Sequence, residues 1–595
     1  MRMRMADYLI NRIYEAGAKD VFFVPGTGCM FLTDALAKKV ELNAVSMHHE
    51  QAAGMAALTY AKCNEKIGAC VVTTGCGGTN AITAVLHAWQ DNVPCVFISG
   101  QAARNQTVRN SKVPLRQMGR QEADIVEIVK SITKYAVMIN SFDDIAYEID
   151  KALYLAMSGR KGPVWIDVPM DIQNSVIEID TLKRFELPMN TLSMDFSEDN
   201  KKTVLNELKN ANRPVMLIGN GIRMAGAIPA LYKFAEKYQI PITYSRLGHD
   251  LYETDNPLSI GMVGMLGTSR AGNFALANAD LILCVGCRLS IDTTGYEYDK
   301  FAREARLIVV DIDELEHMKN TVKIDVFINA DARIFFESMN SLPPVKQYDD
   351  WKATCLHWKN IFPVCIGEPI IDDRLNMYYF TEILSKVLPD NATVISDAGN
   401  AFFTVSPAIR IKSGQRSITS GGQAEMGYAL PGAIGAAYAR NGQIISICGD
   451  GSVMMNLQEF ETLALLNLPI KVFIMNNNGY SSIRHLQNNA FRGRQIGCDK
   501  TSGISFPNFE KVTAAFGLNY YNIDGKNDIE LKIKSILEED GTVICEVMCI
   551  EEQMFLTVGA AFNSKKRLVN RPLEDQIPFI DRDIFEREMI IKPLD

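Results

Sequence analysis

Two short segments carry residue types that could hold an anion and a cation together. Gly449-Asp450-Gly451-Ser452 follows the apolar run Ile444-Ile445-Ser446-Ile447-Cys448 and precedes an amphipathic stretch with Leu457, Phe460, Leu463 and Leu466. A strand that turns through glycines into the start of a helix aims backbone N–H groups at a phosphate. Asp450 adds a hard oxygen for a divalent cation. The next apolar run, 471–475, ends at Asn476-Asn477-Asn478-Gly479, which offers the Asn477 amide oxygen and the Gly479 carbonyl. Mg²⁺ takes about six oxygens and often shares them between protein and phosphate. Asp450, Asn477, the Gly479 carbonyl, diphosphate oxygens and water would complete such a set. Each segment alone also reads as a tight turn. Asp450 and Asn477 lie 27 positions apart, across an intervening helix and strand, and the residues by themselves leave both readings open.

Such residues need strands to present them, and the chain supplies three α/β blocks. A chain of 595 residues exceeds a single core, since domains run to roughly 100–200 residues. The first block, 1–185, alternates helical patterns with apolar runs at 21–24, 69–73, 95–99 and 164–168, the mark of βαβ units and a parallel sheet. A polar stretch at 189–202 reads as a linker. The second block, 203–340, places strands at 214–218, 281–285 and 307–310, with Asp311 and Asp313 where such sheets hold ligands. The third, 365–555, repeats the pattern at 393–396, 444–448, 471–475 and 543–548. The fold class is therefore α/β, three doubly wound open parallel-sheet domains in series, with 556–595 as a C-terminal tail lying over the body.

Composition narrows the partners. With 47% hydrophobic and 22% charged residues the chain is an ordinary globular protein. A formal charge of −9 argues against nucleic acid, whose binding relies on Lys and Arg neutralising phosphates. A small molecule is the expected partner. No apolar run is long enough for a membrane span, and the start is amphipathic, so a cytoplasmic location is expected. The 13 cysteines are then reduced thiols. Cys284-Val285-Gly286-Cys287 has redox or metal spacing but ends an apolar run without a second CxxC, and buried packing is the expected role. No GxGxxG follows a strand, which counts against a nicotinamide dehydrogenase.

The Asp450–Asn477 spacing matches the metal motif of thiamine-diphosphate enzymes, and over about residues 5–550 the chain resembles the acetolactate-synthase and pyruvate-decarboxylase group. Three more stretches carry the resemblance: Ser420-Gly421-Gly422-Gln423-Ala424-Glu425-Met426-Gly427-Tyr428, Gly159-Arg160-Lys161-Gly162-Pro163-Val164, and Asn212-Arg213-Pro214-Val215. It implies a pyrimidine-binding domain first, a middle domain, and a diphosphate- and Mg²⁺-binding domain last. Glu50, in His48-His49-Glu50-Gln51-Ala52, stands where the group keeps the carboxyl that promotes the imino tautomer of the cofactor's aminopyrimidine. Met426 would wedge the cofactor into its bent conformation, and the Ala424 carbonyl would accept from its amino group. Gly399, Asn400 and Ala401 resemble a second diphosphate contact, and Gly26, Gly77, Asn80 and Tyr480 fall at further cofactor positions. Gln121 resembles the glutamine that orients substrate. His48 and His49 have both a structural and a catalytic reading, of which the structural is the commoner for a histidine on an apolar helix. A homodimer or homotetramer, with sites between subunits, is also implied.

Departures from the acetolactate-synthase pattern bear on substrate. After the metal motif the chain reads Tyr480-Ser481-Ser482-Ile483-Arg484-His485-Leu486-Gln487, without the Gly-Met pair and tryptophan that select a ketoacid acceptor. The segments 491–498 and 571–582 resemble proteins that act on surface-polysaccharide sugars, by analogy alone. In the middle domain Gly264-Met265-Leu266-Gly267-Thr268, Arg288 and Asp311-Ile312-Asp313 resemble flavin positions, but the arginine-bearing FDDR stretch is Leu289-Ser290-Ile291-Asp292. Both FAD and an empty structural domain fit. The resemblance implies a carboligase that decarboxylates a 2-oxo acid such as pyruvate and adds the acyl carbanion to an aldehyde or ketone, with a keto-sugar among the acceptors. Two alternatives stand beside it, a non-oxidative 2-oxo acid decarboxylase and a non-catalytic cofactor-binding subunit.

Overall fold

The computed structural model describes residues 1–188, 196–562 and 568–594, and contains three six-stranded parallel sheets in series, as expected. The first sheet is built from β1 (Asp20–Phe23), β2 (Asn43–Ser46), β3 (Gly68–Val72), β4 (Cys95–Gln101), β5 (Tyr135–Met138) and β6 (Val164–Pro169), in the order β2-β1-β3-β4-β6-β5. The middle sheet has β7 (Pro214–Ile218), β8 (Ile242–Tyr244), β9 (Ser259–Met262), β10 (Leu281–Val285), β11 (Arg306–Asp311) and β12 (Val326–Asn329), ordered β9-β8-β7-β10-β11-β12. The third has β13 (Thr393–Ser396), β14 (Arg416–Ile418), β15 (Ile444–Gly449), β16 (Ile470–Asn476), β17 (Asn519–Ile523) and β18 (Val543–Met548), ordered β14-β13-β15-β16-β18-β17. Parallel sheets are covered by helices on both faces, so central strands read as unbroken apolar runs. Leu281-Ile282-Leu283-Cys284-Val285 is buried at every position, and Cys284 and Cys287 are buried free thiols.

The first and third sheets are joined through two helices, α1 (Glu50–Asn64) and α3 (Ala429–Ala439), with α2 (Ile82–Gln90) beside α1. Neither α1 nor α3 is amphipathic, because each is enclosed on nearly all sides. Small residues make the close approach possible. A Cβ on Gly435 would lie 2.0 Å from the Ala56 carbonyl oxygen, and one on Gly432 would lie 3.2 Å from Thr59 Oγ1. The Thr59 hydroxyl donates to the Tyr428 phenol across the seam at 2.8 Å.

A buried ion cluster fixes all three domains around Asp250. Its carboxylate accepts from Arg223 Nη2 at 2.9 Å and from Arg416 Nε, while Arg416 Nη1 donates to the Lys62 carbonyl and Arg223 pairs with Glu65.

Two expectations change in detail. The expected linker 189–202 lies outside the described residues over 189–195, but a helix already runs Glu198–Asn210, its start capped by the Ser197 hydroxyl accepting from the Asn200 N–H. The tail does more than lie over the surface: Leu573, Phe585, Met589 and Ile591 complete the middle-domain core, and Asn278 Oδ1 accepts from the Ile590 and Ile591 N–H groups. Among the described residues no helix is long and apolar enough to cross a membrane.

The helix seam makes a sharp prediction. Alanine is the better helix former than glycine by about 1 kcal/mol, so Gly435→Ala would stabilise an unconstrained helix. Against the Ala56 carbonyl it should instead cost about 1–3 kcal/mol or more as overpacking. Urea unfolding of the two proteins decides it, and a gain in stability would refute the close approach.

Candidate cofactor and metal site

The third sheet reverses strand order at β13, whose neighbours are β14 and β15, and open α/β sheets bind ligands in the crevice at such a point. Residues at the carboxyl ends of β13, β15 and β16 meet there. After β13, Gly399 adopts φ +62° and a Cβ on it would meet nothing nearer than 3.9 Å, while the buried Asn400 Nδ2 has no hydrogen-bond partner. Ala401 opens the helical segment that follows. After β15, Gly449 is equally open, its nearest neighbour 3.8 Å from the Cβ position. Gly451 is not. A Cβ there would lie 2.1 Å from the Tyr480 ring, so Tyr480 closes over the turn.

Asp450 is 2% exposed. Its Oδ1 accepts from the Gly451 N–H at 2.8 Å and its Oδ2 from the Gly479 N–H at 3.0 Å. Gly479, at φ +146° with Cys498 O 2.2 Å from the Cβ position, is a place where only glycine fits. Burial pushes the Asp450 carboxyl up to about 7 despite these donors. Beside it the Asn477 Oδ1 is buried without a partner. A desolvated carboxylate and an orphan amide oxygen are what a hard divalent cation would satisfy. Among the described residues no group of three His, Cys, Asp or Glu could hold a metal alone. The donor set therefore fits a cation that takes its remaining oxygens from a bound diphosphate and water.

The turn 419–428 follows β14. Ala424 sits at φ +49°, strained for a residue with a Cβ, and Met426 is 37% exposed. The Ser452 hydroxyl donates to Asp397 Oδ2 at 2.6 Å and accepts from the Gly427 N–H at 3.0 Å, so it holds the turn against the metal loop. Asp397, raised to about 6 by burial, also accepts from the Tyr428 N–H.

A second group forms in the first domain. Glu50 is the first residue of α1 and 9% exposed, and its Oε2 accepts from Asn80 Nδ2 at 2.9 Å. Gly77 lies against it, since a Cβ there would be 3.3 Å from Glu50 Oε1, and Gly26 packs on the same Thr73 side chain as Gly77. Gln121 is exposed and at φ +58°, and its carbonyl abuts Gly75, two residues before Gly77. His49 caps α1, its Nδ1 accepting from the Gln51 N–H at 3.2 Å. The side chain of His48 is exposed, and its N–H donates to Glu459. Among the described residues no hydrogen bond or ion pair joins Glu50, Asn80 or Gln121 to Asp450, Asn477 or Met426.

Sequence reasoning missed several residues here. Lys62, His87, Asp91 and Glu425 form a buried cluster behind the 419–428 turn. Asn456 Nδ2 ties the Gly427 carbonyl to Gln51 Oε1. The available signal was a lysine in the otherwise apolar face of α1 and a histidine and aspartate four residues apart. In the middle domain a cavity opens beside β7 and β10, the strands where its order reverses, lined by Asn220, Arg246, Arg288, Asp292, Asp311 and Asp331. Arg160 borders it, Nη1 bonded to Asp313 at 2.7 Å and to Glu316 at 2.6 Å.

The raised Asp450 carboxyl predicts a pH signature. The folded chain binds this proton more tightly than the unfolded chain, whose ordinary value is 3.8, so the group's contribution is full at acid pH and is lost as pH rises through about 7. Without Mg²⁺ and cofactor, stability should fall by on the order of 3 kcal/mol between pH 5 and 8 from this group. Asp450→Asn should remove that component. Urea unfolding at the two pH values would refute the assignment if both proteins changed alike.

Three family models match the chain: the N-terminal TPP binding domain of thiamine pyrophosphate enzymes at 3–128, their central domain at 202–339, and their C-terminal TPP binding domain at 397–547. The chain is 31% identical to acetolactate synthase 1, chloroplastic, of Zea mays, over 94% of this chain and 88% of that protein. It is 30% identical to the acetolactate synthase isozyme 1 large subunit of Escherichia coli K12, over 94% and 97%. The strand-end crevice that fits a diphosphate and cation lies inside the matched C-terminal domain, and Glu50 inside the matched N-terminal one. The chain belongs to the thiamine pyrophosphate enzyme family, as an acetolactate-synthase-like, thiamine-diphosphate-dependent enzyme.

Proposed function

We propose that the protein is a carboligase that decarboxylates a 2-oxo acid such as pyruvate and passes the acyl carbon to an aldehyde or ketone. The observation that carries this reading is Glu50, a buried carboxyl held by Asn80 with no cationic partner among the described residues. A subunit that only bound cofactor would have no need of a buried acid there. When bound, thiamine diphosphate supplies a nucleophilic thiazolium carbon and an electron sink that let carbon dioxide leave a 2-oxo acid.

The chain's own residues have distinct tasks. Glu50 holds and moves a proton at the pyrimidine N1′. The Ala424 carbonyl would accept from the exocyclic amino group, and Met426 would supply the apolar side chain that holds the cofactor bent. Asp450, Asn477 and the Gly479 carbonyl would hold Mg²⁺, and Gly399, Asn400, Ala401, Gly449, Gly451, Ser452 and Tyr480 would bind the diphosphate. Gly26, Gly77 and Asn80 line the pyrimidine side. Gln121 orients the substrate.

That no hydrogen bond or ion pair joins the Glu50 and Asp450 groups among the described residues supports sites completed between two copies, as a homodimer or homotetramer. The exposed Leu115, Met118, Met454, Met455 and Leu486 support it further, as apolar area that a second copy would cover. What supports a sugar-derived ketone as acceptor is the resemblance of 491–498 and 571–582. The middle-domain cavity supports FAD in part: Arg288 and Asp311 line it, but Asp292 puts negative charge where the flavin-binding stretch carries arginine. Reconstitution followed by flavin absorbance tests that half of the reading.

Two measurements test the rest. With pyruvate and Mg²⁺, carbon dioxide release should depend on an added aldehyde or ketone; acetaldehyde formed in step with carbon dioxide and no acceptor would make the protein a decarboxylase. Glu50→Gln should lower kcat by roughly 100-fold or more, the usual share of a positioned proton-transfer group, while cofactor still binds. An active Glu50→Gln protein would overturn the assignment.

A further inference from the structure

The turn that carries Ala424 and Met426 is held from behind by side chains of the first domain. Asp91 Oδ2 accepts from the Gly421 N–H at 3.0 Å and Oδ1 from the Gly422 N–H at 2.8 Å. Lys62 Nζ donates to the Thr419 carbonyl at 3.0 Å and to Asp91 at 2.7 Å. Glu425 is gripped at both oxygens: Oε1 lies 2.5 Å from His87 Nδ1, and Oε2 accepts from the Ser420 hydroxyl, whose oxygen in turn accepts from the Ala424 N–H at 3.1 Å. His87 is fully buried, and its Nε2 is 2.8 Å from Lys62 Nζ.

The Nδ1 proton follows from these contacts. The ionised Glu425 carboxylate only accepts, so His87 Nδ1 carries a proton and donates to it, while Nε2 lies between the Lys62 donor at 2.8 Å and the Asp91 Oδ2 acceptor at 3.1 Å. An imidazolium would keep the same Nδ1–H bond. The strained backbone at Ala424 persists only where its surroundings over-determine it, and the residue next in sequence, Glu425, is the one locked to α2.

We infer that His87 is a positioning residue: through Glu425 it fixes the turn that presents the Ala424 carbonyl and Met426 to the cofactor's aminopyrimidine, so that α2 of the first domain sets cofactor geometry in the third domain of the same chain. The inference rests on the proposed roles of Ala424 and Met426. A purely structural histidine would affect folding without a selective effect on the cofactor. A positioning histidine shifts cofactor affinity and turnover in a chain that stays folded, and it leaves substrate affinity alone.

The test uses the full chain with Mg²⁺ and thiamine diphosphate. His87→Leu should weaken cofactor affinity at least tenfold, lower kcat by a similar factor, change the near-ultraviolet circular dichroism of the bound aminopyrimidine, and leave the pyruvate KM within threefold. His87→Gln, which keeps a donor for Glu425 and an acceptor for Lys62, should stay within threefold of the parent in all of these. Glu425→Ala breaks the same contact from the other side and stands in should His87→Leu not fold; the double variant should be no worse than the worse single. A folded His87→Leu or Glu425→Ala protein with parental cofactor affinity and kcat overturns the inference, as does equal loss in His87→Leu and His87→Gln. Glu50→Gln separates the two levels: if it is active the cofactor reading itself fails, whereas an inactive Glu50→Gln beside a parental His87 series removes only the positioning role.

Discussion

Taking a carboxylate out of water without an ion pair is among the costlier things a fold can do, and Asp450, which has Arg484 nearby but is not paired with it, imposes that constraint on everything around it. Two backbone donors offset part of the cost, and one of them, Gly479, exists only because glycine tolerates φ +146° under the Cys498 carbonyl. Asp250 gives the contrast. Its side chain is 3% exposed, and burial alone would raise it, but Arg223 and Arg416 outweigh that and hold its carboxyl well below the usual range. One aspartate is neutralised by the protein and locks three domains. The other is left for something the protein binds. Environment, not residue type, separates the structural acid from the functional one.

Backbone strain follows the same division. Gln121, Ala424 and Asn478 are residues other than glycine at positive φ, and each lies in or beside a proposed cofactor or substrate position. Leu266 and Thr557 are two more, and they meet where the tail closes on the middle domain: the Leu266 N–H donates to the Thr557 carbonyl, and the Thr557 hydroxyl accepts from the Thr268 N–H. A β-branched residue is a poor occupant of that region. Strain of this kind is kept where neighbouring structure dictates it, and Glu65, Gln239 and Asn467 show the same left-handed backbone at helix ends away from the sites.

What was legible in the sequence followed from local pattern. Central strands such as Ile444–Gly449 and Leu281–Val285 are apolar throughout because both faces are covered, and they were found. Edge strands such as Asn43–Ser46 and Asn519–Ile523 face solvent on one side, mix polar and apolar residues, and were not. Asp450 and Asn477 announced themselves because one sheet places consecutive strand ends side by side, turning a sequence spacing into a distance. The His87–Glu425 contact had no such route into the sequence: it joins residues more than 300 positions apart through the packing of two domains. The tail's place in the middle-domain core was hidden for a related reason, since Leu573, Phe585, Met589 and Ile591 follow no single helical or strand period.

The first and third sheets share one strand order, second-first-third-fourth-sixth-fifth, while the middle sheet is third-second-first-fourth-fifth-sixth. In both outer domains the second strand leads into the helix at the seam: β2 into α1, β14 into α3. The segment entering α1 ends in Glu50, and the segment entering α3 carries Ala424 and Met426, so one topological position supplies Glu50 in one domain and the 419–428 turn in the other. The third strands correspond as well, β3 leading to Gly77 and Asn80, β15 to Gly449 and Asp450. With α1 and α3 packed on each other inside a chain, both groups are tied to one seam, which the Thr59–Tyr428, Lys62–Thr419 and His87–Glu425 contacts cross, yet no hydrogen bond or ion pair joins Glu50 to Asp450 or Met426 among the described residues. A slip between α1 and α3 would displace the segment ending in Glu50 relative to the one carrying Ala424 and Met426, so the close packing of the two helices bears on both groups at once.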